Sequence, residues 1–207
     1  MREIAVIGAG GHAKVILDII RANQNYKIVA IFDDKYEKLV QKKEVYYGPI
    51  FSINQVKEIF ECKFVIAIGS NAVRKMLVKQ LGLKKEQLET LIHPTATISE
   101  SVTIGFGTVI MPQVVINADT VIGDHTIINT SAVVEHDNYI GDFVHISPNA
   151  TLTGAVLIDE GAQVGAGATI IPGKQVGNWS VIGAGAIVIQ DIPPLCTAVG
   201  SPAKLIK

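Results

Sequence analysis

Three consecutive ionisable residues, Glu135-His136-Asp137, stand out in a chain of 207 residues of which 18% are charged. A histidine titrates near neutrality, so it can accept the proton of an amine or hydroxyl attacking a carbonyl carbon. A neighbouring carboxylate holds the imidazole in one tautomer and raises its basicity. His136 therefore reads as a general base, with Asp137 or Glu135 as its orienting acid. A second histidine follows nine residues later, in Asp142-Phe143-Val144-His145-Ile146. His93, which precedes Pro94, and His125, which reads as an exposed turn, are assigned no chemistry. The chain shows no strand-to-helix elbow for a serine or cysteine nucleophile, and an acyl transfer that proceeds without one would need a donor for its oxyanion, which a backbone amide at a Gly-rich corner can supply. Cys62 and Cys196 lie far apart and suggest neither a disulfide framework nor a metal site.

The elements that must carry these residues are set by a six-residue period. Every sixth residue from Ile98 to Val188 is Ile, Val or Leu, sixteen positions without a slip. Small or short residues such as Ala96, Thr108, Ala132 and Ala150 precede them by two, and glycine often follows. This period belongs to a parallel β-helix of hexapeptide repeats, in which three repeats make a triangular coil of roughly eighteen residues. The aliphatics point inward and stack from coil to coil, and no coil buries its own apolar side alone. Glu135-His136-Asp137 then falls at a corner of a middle coil, where regular packing has no use for three ionisable groups. Val109, Val115, Ile127, Val133 and Ile171 are apolar outside the register, which suggests a covered outer face and a homotrimer. The segment from Pro193, with Leu195, Val199 and Leu205, is expected to cap the open end of the stack.

The preceding residues are of a different kind. Residues 3–8 form a buried strand that runs into Gly8-Ala9-Gly10-Gly11-His12-Ala13, followed by helical spacing at Val15, Ile16, Ile19 and Ile20. A second strand, 28–32, ends at Asp33-Asp34. A third, 64–69, ends at Gly69-Ser70-Asn71 and leads into a helix through Arg74, Leu77 and Leu81. Tyr46-Tyr47-Gly48-Pro49 reads as a turn, Val56, Ile59 and Phe60 as a helical pattern, and 83–92 as a linker. The expected domains are 1–91, a Rossmann-like nucleotide-binding unit, and 92–207, the β-helix. In an open parallel sheet the ligand crevice lies at the carboxyl ends of the strands, and a glycine turn before a helix favours phosphate. The same glycines satisfy a loose dinucleotide fingerprint, so NAD, another nucleotide-like ligand and a purely structural turn all remain open at this point. The β-helix leaves little chain for the second domain of a dehydrogenase.

Composition narrows the partners. A formal net charge of −1 argues against nucleic acid. The expected location is cytoplasmic, because Arg2 and Glu3 lead straight into a strand with no leader pattern and no run is long enough to span a membrane.

The combination of Gly8-Ala9-Gly10-Gly11-His12, Phe32-Asp33-Asp34, Ile68-Gly69-Ser70-Asn71, Asn129-Thr130-Ser131, Glu135-His136-Asp137, His145-Ile146-Ser147 and Val199-Gly200-Ser201-Pro202-Ala203-Lys204 resembles bacterial sugar O- and N-acyltransferases. These join a small nucleotide-binding βαβ domain to a left-handed hexapeptide β-helix, and the nearest likeness is to nucleotide-4-amino-sugar N-acetyltransferases of the bacillosamine type. The resemblance implies that His136 deprotonates the acceptor as it attacks acetyl-CoA, and that Asp137 raises its basicity. It implies that His145 and the backbone around Gly154 and Ala166 contact acetyl-CoA, and that Gly10, Gly11, His12, Asp33, Asp34 and Gly69 hold the nucleotide sugar. It also implies a trimer with acetyl-CoA between neighbouring β-helices, no metal, and a place in surface-glycan or exopolysaccharide synthesis. Lys204 and Lys207 are candidates for the CoA phosphates. Two other readings stay open: O-acetylation of a sugar such as sialic acid, and a non-catalytic trimeric nucleotide-binding protein.

Overall fold

A computed structural model describes residues 1–206 and divides the chain into two compact units, Met1–Leu91 and Ile92–Lys207. Lys207 itself lies outside the described residues.

The first unit is a five-stranded sheet flanked by helices. Its strands are β1 (Arg2–Ile7), β2 (Tyr26–Phe32), β3 (Val40–Lys42), β4 (Val45–Gly48) and β5 (Lys63–Ile66), in the order β3-β4-β2-β1-β5. All pairings are parallel except that of β3 with β4. Helix α1 (Gly11–Ala22) buries Ala13, Ile16, Ile19 and Ile20, the spacing that the sequence displays. A short α2 (Ile53–Lys57) and α3 (Asn71–Leu81) complete the layer. Two expectations fail here. Tyr46-Tyr47-Gly48 is not a turn but the strand β4, which pairs Tyr46 with Ala30 and packs the Tyr46 ring edge-on against Phe60 at 5.8 Å. Residues 83–92 are not a bare linker. Leu88 is buried and bridges Phe64, while Glu89, also buried, accepts from the Tyr26 hydroxyl at 2.8 Å and pairs with Arg2 at 3.1 Å. Burial of Tyr26 and its bond to Glu89 push the phenol pKa up to about 12.

The second unit is the β-helix. Two-residue strands recur every six positions and distribute cyclically over three parallel sheets. One face carries Val115–Ile116, Val133–Val134 and Thr151–Leu152. The next carries Val121–Ile122, Tyr139–Ile140 and Leu157–Ile158, and the third carries Ile127–Ile128, His145–Ile146 and Gln163–Val164. The periodic aliphatics from Ile110 onward are buried to within 1% exposure, whereas Ile98 and Ile104 at the open end are half-buried. Burial of each such side chain contributes about 1.5–3 kcal/mol as an upper bound.

Each corner turns through one left-handed residue. From Gly107 to Gly185 a φ between about +55° and +70° recurs every six positions, and most of these residues are not glycine. Such residues cost of order 1 kcal/mol each, which the coil ladders above and below offset. Of the five out-of-register apolar residues, Val109 and Ile127 are buried within the chain and leave nothing for a partner to cover. The C-terminal segment does close the stack: Thr197–Val199 pairs in parallel with Val181–Ile182, and Lys204–Leu205 folds back on it. Ala198 supplies the buried contact, while Leu195 and Leu205 are exposed.

Candidate active site

Glu135-His136-Asp137 forms the corner between the first and second faces of the β-helix. Asp137 takes the left-handed position (φ 59°), and this turns its carboxylate back toward the preceding residue. His136 Nδ1 lies 2.7 Å from Asp137 Oδ2, with both side chains more than half exposed (62% and 60%). The carboxylate fixes the proton on Nδ1 and leaves Nε2 as the basic atom. Its hydrogen bond raises the imidazole pKa above the usual 6.5. Slight desolvation opposes this, and the charges of Asp137 and Glu135 add to it.

The two acids differ in what they bond. Glu135 Oε2 accepts from Asn117 Nδ2 at 2.9 Å, one coil earlier, so Asp137 is the residue bonded to the ring. The imidazole lies over Gly154, one coil later. A Cβ there would stand 2.8 Å from Cε1 and 2.9 Å from Nε2, so only glycine fits beneath the ring.

His145 lies on the third face, across the prism from the corner that carries His136. A single chain therefore does not bring the two histidines together. Asn129 Oδ1 accepts the Thr130 N–H at 2.8 Å, which fixes the amide orientation. Asn129 Nδ2 then donates to His145 Nε2 at 3.0 Å, so the neutral ring keeps its proton on Nδ1. Ala166 is exposed at the corner after the third face, its carbonyl accepting from Gly185 at 2.8 Å. His93 Nδ1 accepts the Thr95 N–H at 3.1 Å and closes a turn. The expectation for His125 is overturned. It is 5% exposed and stacked on Phe143 at 5.1 Å with an 8° interplanar angle, because it occupies the left-handed corner position itself (φ 55°).

In the first unit the strand-end loops converge as the sequence implies. Gly8 (φ 112°) packs where a Cβ would stand 2.8 Å from the Ala67 carbonyl. Asp33 Oδ2 accepts the Ala9 N–H at 2.7 Å, and Lys35 Nζ donates to the Ala9 carbonyl at 2.9 Å. Asp34 Oδ1 accepts from the Ile50 N–H at 3.1 Å. Gly10 caps α1, and a Cβ on Gly69 would sit 3.9 Å from the His12 side chain. Exposed backbone at Gly10 and Gly11, half-buried His12 and the helix N-terminus thus share one end of the sheet.

Sequence reasoning passed over Arg74 here, reading it only as part of a helix. It is buried and donates from Nη1 to the Ile68 and Gly69 carbonyls at 3.1 Å and from Nη2 to Asn71 Oδ1 at 2.9 Å. Burial lowers its pKa to about 10, so it remains charged at neutral pH beneath the Gly69 loop. Among the described residues no cluster of His, Cys, Asp and Glu could hold a metal ion, and no helix is long and apolar enough to cross a membrane.

Comparison with known proteins gives a consistent picture. Residues 3–81 match the PglD N-terminal domain, and residues 95–136 match the bacterial transferase hexapeptide (six repeats). A stretch of 110 residues, 53% of this chain, is 49% identical to UDP-N-acetylbacillosamine N-acetyltransferase of Bacillus subtilis (strain 168) and spans only about half (51%) of that enzyme. Perosamine N-acetyltransferase from Caulobacter crescentus, solved with CoA and GDP-perosamine, is 36% identical over 100% of this chain and 98% of its own, with a TM-score of 0.91. The acetyltransferase domain of PglB from Neisseria gonorrhoeae, solved with acetyl coenzyme A, is 39% identical over 99% of both chains, with a TM-score of 0.89.

Proposed function

The chain belongs to the bacterial sugar N-acetyltransferases that join a PglD-type N-terminal domain to a left-handed hexapeptide β-helix, and from that premise we propose that it acetylates the amine of a nucleotide-linked 4-amino sugar with acetyl-CoA. The observation that carries this reading is the His136–Asp137 pair, with Nε2 bare and the Gly154 main chain pressed against the ring.

The amine nitrogen attacks the thioester carbonyl carbon, and His136 Nε2 takes the proton that the nitrogen sheds. The tetrahedral oxyanion collapses, the C–S bond breaks, and the CoA thiolate leaves, receiving its proton from the imidazolium. The N–H of Gly154, the glycine over which the ring lies, is our candidate for the oxyanion donor. His145, with its proton on Nδ1, and the backbone around Gly154 and Ala166 are assigned to acetyl-CoA. Gly10, Gly11, His12, Asp33, Asp34 and Gly69 are assigned to the nucleotide sugar, with Arg74 adding positive charge beneath the Gly69 loop. Lys204, exposed in the C-terminal strand, is assigned to the CoA phosphates.

A homotrimer is part of this proposal. His136 and His145 lie on opposite sides of one prism, so a common site for both needs a neighbouring chain. The second face also presents an exposed apolar column, Val121, Tyr139 and Leu157, for such a neighbour to cover. We place the activity in the cytoplasm, in the supply of acetylated sugars for surface glycans or exopolysaccharide.

The test is release of free CoA thiol from acetyl-CoA with a panel of UDP-, GDP-, dTDP- and CMP-linked sugars bearing amino or hydroxyl acceptors. Release with a nucleotide-linked amino sugar is expected. Release with hydroxyl sugars alone would overturn the N-acetyl assignment. Absence of binding to both acetyl-CoA and every nucleotide sugar would overturn the enzyme assignment.

A further inference from the structure

We propose that Asn138 is a positioning residue for His136, holding the catalytic corner through a main-chain bond that the regular repeat lacks. The proposal rests on the assignment of His136 as the base, and it arises from a departure within the repeat itself.

Residues two before the inward aliphatic are small or short along most of the stack, and several are threonines whose hydroxyls donate alike, those of Thr108 and Thr126 also accepting a backbone N–H eighteen residues on. Thr108 donates its hydroxyl to the Gly123 carbonyl at 2.8 Å, Thr120 to Glu135 at 3.0 Å, and Thr126 to Gly141 at 2.8 Å. Each bond runs fifteen residues forward and ties one coil to the next. Asn138 makes the same bond, from Nδ2 to the Thr153 carbonyl at 2.9 Å. Its amide has a second proton, and this turns back on its own corner to the Glu135 carbonyl at 2.6 Å, with the His136 carbonyl at 3.3 Å. The Glu135 carbonyl also receives the Thr120 hydroxyl, so the peptide leading into His136 is gripped from two directions.

This arrangement is costly for a purely structural residue. Asn138 is 1% exposed, and its Oδ1 is buried with no hydrogen-bond partner among the described residues. An unsatisfied buried carbonyl costs about 1–3 kcal/mol. Threonine at Thr120, one coil earlier, and Val156, one coil later, fill the equivalent position without that penalty. What asparagine adds is the second donor alone, and that donor acts on the two carbonyls flanking the base.

Threonine at 138 therefore separates the two roles. Asn138→Thr keeps a hydroxyl for the Thr153 carbonyl and removes the bond within the corner, whereas Asn138→Val removes both. The assay is CoA thiol release with acetyl-CoA and the amino sugar that serves the wild type. It is paired with 15N NMR of histidine-labelled protein, which reads the tautomer and titration of His136. We expect Asn138→Thr to melt within a few degrees of wild type, with kcat down about 10-fold and KM for both substrates within about twofold. The His136 population with the proton on Nδ1 should fall, and its pKa should move down. Ser180→Ala, which removes a similarly buried side-chain bond to the Pro193 carbonyl, should lower the melting temperature and leave kcat and the His136 spectrum unchanged. Wild-type kcat in Asn138→Thr with an unmoved His136 titration would overturn the proposal. If Asn138→Val does not fold, the threonine variant alone decides. If wild-type protein acetylates no amino sugar, the proposed function fails, and the NMR comparison still decides whether Asn138 orients the ring.

Discussion

His125 and His136 lie eleven residues apart on the same β-helix and meet opposite environments. His125 occupies the left-handed corner position, so its ring lies along the edge of the stack, buried and face to face with Phe143. His136 stands one residue ahead of that position in its own corner. Asp137 takes the left-handed turn instead, and the imidazole projects into solvent with its Nδ1 bonded to the carboxylate. One step of register separates a packing histidine from a candidate base. Residue type says little here, and place within the six-residue turn says most.

The sharpest way to break this contrast is to remove each ring in turn. His136→Ala should cut acetyl transfer by about 10²–10⁴-fold without loss of fold, since the ring is exposed. His125→Ala should leave the rate within about twofold while lowering stability by roughly 1–3 kcal/mol, through loss of the stack and its burial. Thiol release and denaturant melts report the two effects, and equal rate losses in both variants would erase the distinction.

A subtler change acts beneath the base. Gly154→Ala places a methyl against Cε1 and Nε2, so the ring must swing off its site, and kcat should fall about 10- to 100-fold with the melting temperature little changed. The pH profile probes the orienting acid. As the proposed base, His136 would have to be neutral, so the rate should fall as pH drops through its raised pKa, above the usual 6.5. Asparagine tolerates the left-handed turn at 137 but carries no charge. Asp137→Asn should therefore lower the plateau and move the acid limb to lower pH, because the bond that raises the pKa is weakened. The smallest effect belongs to Glu135→Gln. Its bond to Asn117 can persist, and only its minor charge contribution is lost, so the acid limb should shift slightly in the same direction. A larger shift from Glu135→Gln than from Asp137→Asn would reverse the roles of the two acids.

The β-helix was legible because each inward aliphatic repeats a local rule at a spacing of six. The βαβ start was legible for a similar reason, since strand, glycine turn and helix adjoin in the chain. What the sequence hid was set by neighbours at a spacing of eighteen. Asn117 holds Glu135, and Gly154 admits the His136 ring, each one full coil away. Reading the corner residues down columns of eighteen brings these pairs together, and it also exposes Asn138 as the amide between Thr120 and Val156. The strand at Tyr46-Tyr47 escaped for another reason: its pairing with Ala30 and Ile31 is decided across the sheet, and Gly48-Pro49 masks it locally. Arg74 escaped because a helical arginine is usually solvated, and nothing in its neighbours marks this one as buried.

In the ladder of the β-helix each coil hydrogen-bonds only to the coil before and the coil after it. Such a stack frays from its ends like a zipper, and interior coils open last. The His136 corner lies in the middle of that stack, whereas Ala166 and Lys204 lie toward the C-terminal end. On warming, the terminal turns should therefore loosen while the base keeps its posture. The contacts proposed for Ala166 and Lys204 with acetyl-CoA should then fail first, seen as a rising KM for acetyl-CoA before the loss of the proton abstraction proposed for His136.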